Sequence, residues 1–435
     1  MNKKMVLWLY QELPALVGKG VLTQASSDSL RAHYGEVKAV DRRSFVVILC
    51  AIIGSLLIGL GIILLFAHNW EQFSRPTRAG LSLLPLVMAQ ALALWVVFKK
   101  PDSLALKESS ATFLSLMVGS SLALIGQTYN IPNDTPAFIL TWMLLILPLA
   151  YLMEASIPAV MYVFGISAWA GQFWRDPSWS ILFWPLLALV VPHFIWSLKQ
   201  EKYAIRSTIL AFVMAIGICS GVGFTRCRGW EGSWVVIYSS LATVFYFLGS
   251  WEFHGISTNW QRPFARVGAF GVFVMMFLFT FDSPWHSLSF HDVTTLKPSA
   301  WVVVPDVVLA GLLFTGSLLM TYPYIQRRDW VRVQWGALPL FALFGYTFGG
   351  SSEGLVMLIF NLYVLFISIY RIMAGIKAND LGITNTGMFM LSALVLARFF
   401  DSNLDFIFKG LVFIAVGIGF LLTNIMVMRK KGGAA

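Results

Sequence analysis

The chain is a succession of long apolar runs separated by short polar breaks. A helix needs about 20 mostly apolar residues to cross a bilayer, at a rise of about 1.5 Å per residue. About fourteen runs meet that length. They lie near 44–66, 79–98, 110–128, 136–153, 155–172, 179–197, 206–224, 233–250, 265–282, 304–323, 334–349, 351–370, 385–400 and 405–428. The expected fold is all-α: a polytopic integral membrane protein with about 14 transmembrane helices. The run at 155–172 follows its predecessor with almost no loop, and 334–349 is short enough to be re-entrant instead of spanning. The expected domains are 1–43, a cytoplasmic helical hairpin; 44–428, the transmembrane part; and 429–435, a short basic tail.

Within the first segment, residues 5–18 read as a helix stopped by Gly18 and Gly20. Thr23 caps a second helix, which Gly35 ends. Leu7, Tyr10, Leu16, Val21, Leu22, Leu30 and Tyr34 supply an apolar seam. About 40 residues bury little core alone, so the hairpin is expected to rest on the membrane part or on a partner. A plain amphipathic tether is the alternative. The apolar run in Met1–Tyr10 is too short for a secretory signal, so the N-terminus reads as retained.

Composition strengthens the membrane reading. Hydrophobic residues make up 58% and charged residues 12%, against about 25% charged in an ordinary soluble domain. That balance excludes a soluble shell, and it excludes disorder, which needs low hydrophobicity. The net charge of +10 has a topological origin. With the N-terminus inside, roughly three quarters of the Lys and Arg fall on the inner side, as the positive-inside rule requires. Both termini are then cytoplasmic, and no nucleic-acid partner is implied. Trp70, Trp174, Trp179, Trp230, Trp234 and Trp285 fall near outer ends, and Trp196, Trp251, Trp330 and Trp335 near inner ends. They read as aromatic belts, whereas Trp142 and Trp169 lie within runs and read as packing residues. Cys50, Cys219 and Cys227 form no metal pattern or disulfide framework.

Several phrases resemble a bacterial family of predicted membrane proteins, domain of unknown function family 2157. They are Leu16-Val-Gly-Lys-Gly20-Val-Leu-Thr23 with His33-Tyr34, the first run ending in Ala67-His68-Asn69-Trp70, and Leu124-Ile-Gly126-Gln127-Thr-Tyr129-Asn130 followed by Trp142 and Pro148. Ala397-Arg398-Phe-Phe-Asp401 and Gly410–Gly417 look like the tail of related multi-span proteins. The resemblance covers about residues 1–150 and 350–430. It implies an inner-membrane protein, no established reaction, and a small membrane-anchored partner protein beside the lipid bilayer.

The topology gathers unusual polar residues at the outer ends of the runs. They are His68, Asn69, Gln127, Tyr129, Asn130, Glu353, Arg398 and Asp401, with Gln172 and Asp405 nearby. Polar groups at membrane depth are costly and mark functional sites. The functional reading is a polar chamber open to the periplasmic side, serving a transporter or a lipid-handling protein. Under the structural reading, Arg398 with Asp401, and Asp405 with Lys409, are ion pairs on helix faces, and Glu353 caps a helix N-terminus. In that case the chain is a scaffold or sensor acting through its hairpin or a partner. Asn361 points to an interhelical hydrogen bond, Arg371 to a topology charge, and His193 to a satisfied core residue. His286 and His291 are too few for a metal site. Gly217 with Gly221, and Ser55 with Gly59, have the spacing of close helix packing. No GxxxxGK[ST], HExxH or CxxC occurs, and nothing positions a nucleophile beside His68 and Glu71. No catalytic role and no cofactor is expected.

Overall fold

The computed structural model describes residues 3–34, 73–132, 134–173, 177–226, 232–252, 261–286 and 304–401, with isolated positions within 50–61 and 411–419. All regular structure among the described residues is helical. Eight helices there are long and apolar enough to cross a membrane. The chain divides into two compact units, Met1–Tyr162 and Val163–Ala435.

The first unit opens with α1 (Lys3–Gly18) and α2 (Gln24–Tyr34). Gly20 takes φ +70°, a left-handed conformation that glycine adopts without a Cβ penalty. It lets Val21 N–H donate to Leu16 C=O and Gly20 N–H to Val17 C=O, both at 3.0 Å, which closes α1 with a Schellman cap. Thr23 Oγ1 accepts from Ser26 N–H at 3.2 Å and so caps α2, as expected. Tyr10 O–H donates to Arg31 C=O at 3.3 Å and joins the two helices. The seam differs from expectation. Leu13 is fully buried, whereas Val21 is 66% exposed.

Three spans follow: α3 (Arg75–Lys99), α4 (Leu104–Thr128) and α5 (Thr135–Leu152). Ser74, Ser103 and Asp134 cap them with side-chain oxygens. Ala89 and Ala93 of α3 let α4 approach closely, burying Ala111, Leu114 and Met117. Polar bonds fix the crossings: Ser121 donates to Ser82 C=O at 2.7 Å, and Trp142 Nε1–H to Ser115 C=O at 2.8 Å. The Trp142 ring lies against Gly119, where a Cβ has no room. Helix α6 (Ser156–Gln172) contains the boundary between the units.

The second unit alternates full spans with short or broken helices. The run expected to span 179–197 is broken into α7 (Pro177–Ser180), α8 (Phe183–Ala188) and α9 (Val191–Glu201). Pro185 and Pro192 lack an N–H, so neither serves the carbonyl one turn back. Turns with Trp184 N–H on Ile181 C=O and Val190 N–H on Leu187 C=O fill the breaks. Next come α10 (Ile205–Thr225), α11 (Ser233–Glu252), α12 (Pro263–Leu278) and a single turn, α13 (Ser283–His286). The run at 265–282 therefore ends early, in turns at 279–282. After α14 (Val304–Gln326), the run at 334–349 is α15 (Trp330–Gly336) and α16 (Leu338–Phe348), meeting at Ala337. Helices α17 (Glu353–Ala378) and α18 (Leu381–Asp401) complete the unit. The runs 44–66 and 405–428 lie outside the described residues apart from isolated positions.

Small residues set the helix crossings. A Cβ on Gly217 would stand 2.8 Å from Val163, and one on Gly221 would collide with the Phe183 ring. The expected packing pair is real, with one glycine receiving each neighbour. Ser55 and Gly59 lie outside the described residues. Gly268 of α12 meets the backbone of Tyr246 in α11, and Gly375 of α17 meets that of Thr384 in α18. On the opposite face of α17, Leu355, Leu358, Leu362, Phe366, Ile369 and Met373 are 45–64% exposed. An apolar stripe at that spacing, turned outward, is the face a helix offers to lipid.

Candidate functional site

The expected polar residues fall in different surroundings. Gln127, Tyr129 and Asn130 end α4. Asn130 has φ 51°; its N–H donates to Gln127 C=O at 3.4 Å, and Ile131 N–H to Gly126 C=O at 2.9 Å. This is a Schellman cap with Asn in the left-handed position, which Asn tolerates better than most residues. Tyr129 is 54% exposed, and Gln127 and Asn130 are exposed. The phrase is thus a helix terminus closed by its own backbone N–H groups, with Thr128 Oγ1 donating to Leu124 C=O at 2.7 Å. His68 and Asn69 lie outside the described residues, as do Asp405, Lys409 and His291.

The second unit brings polar groups together where α12 stops. Arg398 Nη2 on α18 approaches Thr280 Oγ1 at 3.4 Å. Its guanidinium lies 4.7 Å from the centre of the Phe281 ring. Asn361 on α17 donates through Nδ2 to Thr280 C=O at 3.2 Å and to Met357 C=O at 2.8 Å. The interhelical hydrogen bond expected of Asn361 is therefore present. The early end of α12 leaves carbonyls without helical donors, and Asn361 supplies one. Glu353 stands in the first turn of α17, where a carboxylate is favoured by the helix dipole. Asp401 ends α18, and nothing is described of its side chain. Arg398 of the expected set is joined to polar groups of another element.

Other polar residues are deeply placed, and the sequence reading passed over them. Glu108 in α4 is 6% exposed. Its carboxylate accepts from Ser156 N–H at 2.8 Å and Ile157 N–H at 3.0 Å, capping the N-terminus of α6 from another helix. Beside it Lys107 pairs with Glu154 at 3.0 Å. A carboxylate accepting two backbone N–H groups satisfies donors that the helix start leaves orphaned. Asp306, in the first turn of α14, is 4% exposed.

Arg371 corrects its expectation. It is 7% exposed and is not a solvated topology charge. Its guanidinium lies 5.2 Å from the Trp335 ring centre, and Trp335 stacks on Tyr246 at 5.7 Å. Trp335 was expected in the inner aromatic belt and is 5% exposed. Trp285, expected in the outer belt, is fully buried, donates to Phe279 C=O at 3.0 Å and stacks on Phe360. Trp179, Trp251 and Trp330 remain half exposed or more, as belt residues do. His193 is 2% exposed with its ring against Trp196, the core placement expected of it.

One enzyme-like spacing occurs that the sequence reading overlooked. Gly350-Ser351-Ser352-Glu353-Gly354 fits GxSxG. That motif acts on a strand-to-helix turn, whereas here it joins α16 to α17. The fold gives it no nucleophile elbow. Among the described residues, no group of His, Cys, Asp and Glu side chains is arranged to hold a metal ion.

The first unit also has an open cleft of about 310 Å³ between α3, α4 and α5. Leu83, Leu86, Leu114 and Leu145 line it, with Gln90 and Ser121 as its polar members.

Residues 14–159 match the family described as predicted membrane protein (DUF2157). The matched stretch is nearly coextensive with the first unit. It contains the hairpin's turn and α2, the α4 terminus and the Glu108 cap. The match ends at residue 159, so the resemblance seen in 397–417 rests on those residues alone. No curated protein and no solved structure matches the chain. The chain is thus similar over its first third to a membrane family, and apolar helices continue beyond it.

Proposed function

We propose that this chain is a transporter or lipid-handling protein of a bacterial inner membrane, with a polar site toward the periplasmic side and both termini in the cytoplasm. In this reading the short helices α6 and α12 and the broken pairs are embedded too. The number of membrane segments is then about fourteen, counting the runs 44–66 and 405–428. The observation that carries the reading is the meeting of Arg398, Asn361 and Thr280 at the end of α12. An arginine within an apolar span is costly and is kept where it serves a pathway or a site. Helices that break inside the membrane are the usual frame for such sites. The apolar cleft of the first unit is of a size to take an acyl chain.

The test is accessibility. Cys50, Cys219 and Cys227 are replaced, and single cysteines are placed at His68, Gln127, Glu353 and Asp401. A membrane-impermeant thiol reagent is then applied from either side. Labelling from outside at all four, and from inside in a second condition, is the expected result. Protection from both sides in folded protein overturns the reading. The alternative, a scaffold acting through the hairpin and a small membrane partner, draws on the exposed Val21 at the hairpin turn. It expects Asp401→Asn and Glu353→Gln to lower partner recovery and to leave flux unaltered.

A further inference from the structure

The interior of the second unit contains a cation, Arg371, that has no ion pair within 4 Å among the described residues. Nε and Nη1 of Arg371 are shielded from solvent and have no hydrogen-bond partner among the described residues. Backbone acceptors around the α15–α16 break have other donors, whereas Gln334 Oε1 does not. Pro339 has no N–H, so the Trp335 carbonyl lacks its helical donor at the α15–α16 break. Thr243 Oγ1, which donates to Ser239 C=O at 2.9 Å, also lies 3.4 Å from that carbonyl. The Gln334 carbonyl accepts from Tyr363 O–H at 2.6 Å. Asp380 acts on Arg371 from a distance, but its Oδ1 accepts from Gly382 N–H at 2.7 Å and Ile383 N–H at 3.2 Å, starting α18. Asp329, next along at the start of α15, is paired with Arg332 at 3.0 Å. Gln334, beside the Trp335 platform, contributes a second buried atom without a partner, its Oε1.

A buried guanidinium needs an opposite charge and acceptors for its fork of N–H donors. The ring contact with Trp335 offsets only part of that need. We propose that Arg371, seated on Trp335 at the α15–α16 break, binds an oxyanion of the phosphate type. Arginine presents planar, paired donors that match phosphate oxygens. Position agrees with that chemistry. Arg371 lies eighteen residues beyond Glu353, about 27 Å along the helix, close to the thickness of a hydrocarbon core. Asn361 of the Arg398 cluster lies ten residues before Arg371, about 15 Å along the helix, so Arg371 stands nearer the C-terminal end of α17 than that cluster does. The phosphate is that of an anionic phospholipid or a free phosphate.

The experiment uses the full-length protein in detergent and reads the midpoint of thermal unfolding. One arm titrates inorganic phosphate against chloride at constant ionic strength. The other titrates phosphatidylglycerol into mixed micelles, with phosphatidylcholine as the control. A saturable rise in one arm is expected, and the arm that responds names the source. Arg371→Gln is expected to abolish the rise. Arg371→Lys retains the charge but loses the fork, and is expected to weaken the apparent affinity about tenfold. If Arg371→Gln does not fold, the Lys variant decides. No rise over the controls in either arm, or a Lys variant that titrates like the parent, overturns the proposal. Neither result depends on transport, so failure here is distinguishable from failure of the accessibility test.

Discussion

The end of α4 and the α15–α17 region make opposite cases. The first has a recognisable phrase, Gln127-Thr-Tyr129-Asn130, and lies within the family match. Gln127, Tyr129 and Asn130 are exposed, Thr128 is buried, and Asn130 closes a helix. The second has no motif and lies beyond the match, in sequence that reads as generic hydrophobic span. Yet it buries Arg371, Gln334 and Trp335 together with a helix break. A backbone conformation that demands particular residues leaves a phrase in the sequence, and a left-handed cap makes such a demand. A buried arginine makes none on its neighbours in sequence, because its platform comes from another helix.

That contrast is breakable, and the largest effect belongs to the packed region. Gly375→Leu forces a side chain into the backbone of Thr384, one turn from Arg371. It is expected to cost at least about 3 kcal/mol, seen as a large fall in thermal midpoint in detergent. A near-parental midpoint would mean that α17 and α18 do not meet as closely as described. Next in size is Glu108→Ala. It leaves two N–H donors of α6 without their acceptor and is expected to cost about 2 kcal/mol. Because Glu108 lies inside the family match, this variant sharpens the comparison: burial, and not membership of either unit, sets the cost. Glu108→Gln keeps one acceptor and should recover part of the loss.

The smallest effects belong to the phrase itself. Asn130→Gly suits the left-handed position and is expected to change stability by only a few tenths of a kcal/mol, about 0.3. Asn130→Ala is expected to cost about 1 kcal/mol, since alanine adopts that conformation poorly. Substitution of Tyr129, 54% exposed, should stay within about 0.5 kcal/mol. A loss of several kcal/mol from Tyr129→Ala would show that the residue is covered by something beyond its own unit, and would restore the α4 end as a site.

The fold class was legible because apolar length is a strong signal, and each of the eight long spans lies under an expected run. The breaks were less legible. Hydropathy sees an unbroken run at 179–197 and at 334–349, because proline interrupts hydrogen bonding without making the sequence polar. Pro185, Pro192 and Pro339 were the available clues. Asn361 was read correctly, since a lone amide in a span has few options but an interhelical bond. Arg371 was misread for a symmetric reason. Near the end of a span, a solvated charge and a buried one have the same sequence appearance, and only the burial of Arg371 against Trp335 separates them. Trp285 and Trp335 show the same degeneracy for aromatic belts. Glu108 escaped notice because its partners, the N–H groups at 156 and 157, are 48 and 49 residues away.

The most direct measurement compares Arg371→Lys with Asn130→Ala in the same phosphate and phosphatidylglycerol titrations. The account predicts that Asn130→Ala begins from a slightly lower midpoint and keeps the full rise on adding the oxyanion. Arg371→Lys should lose most of that rise. A response abolished by Asn130→Ala and preserved in Arg371→Lys would contradict the account, because the chemistry would then reside in the exposed phrase and not in the buried break.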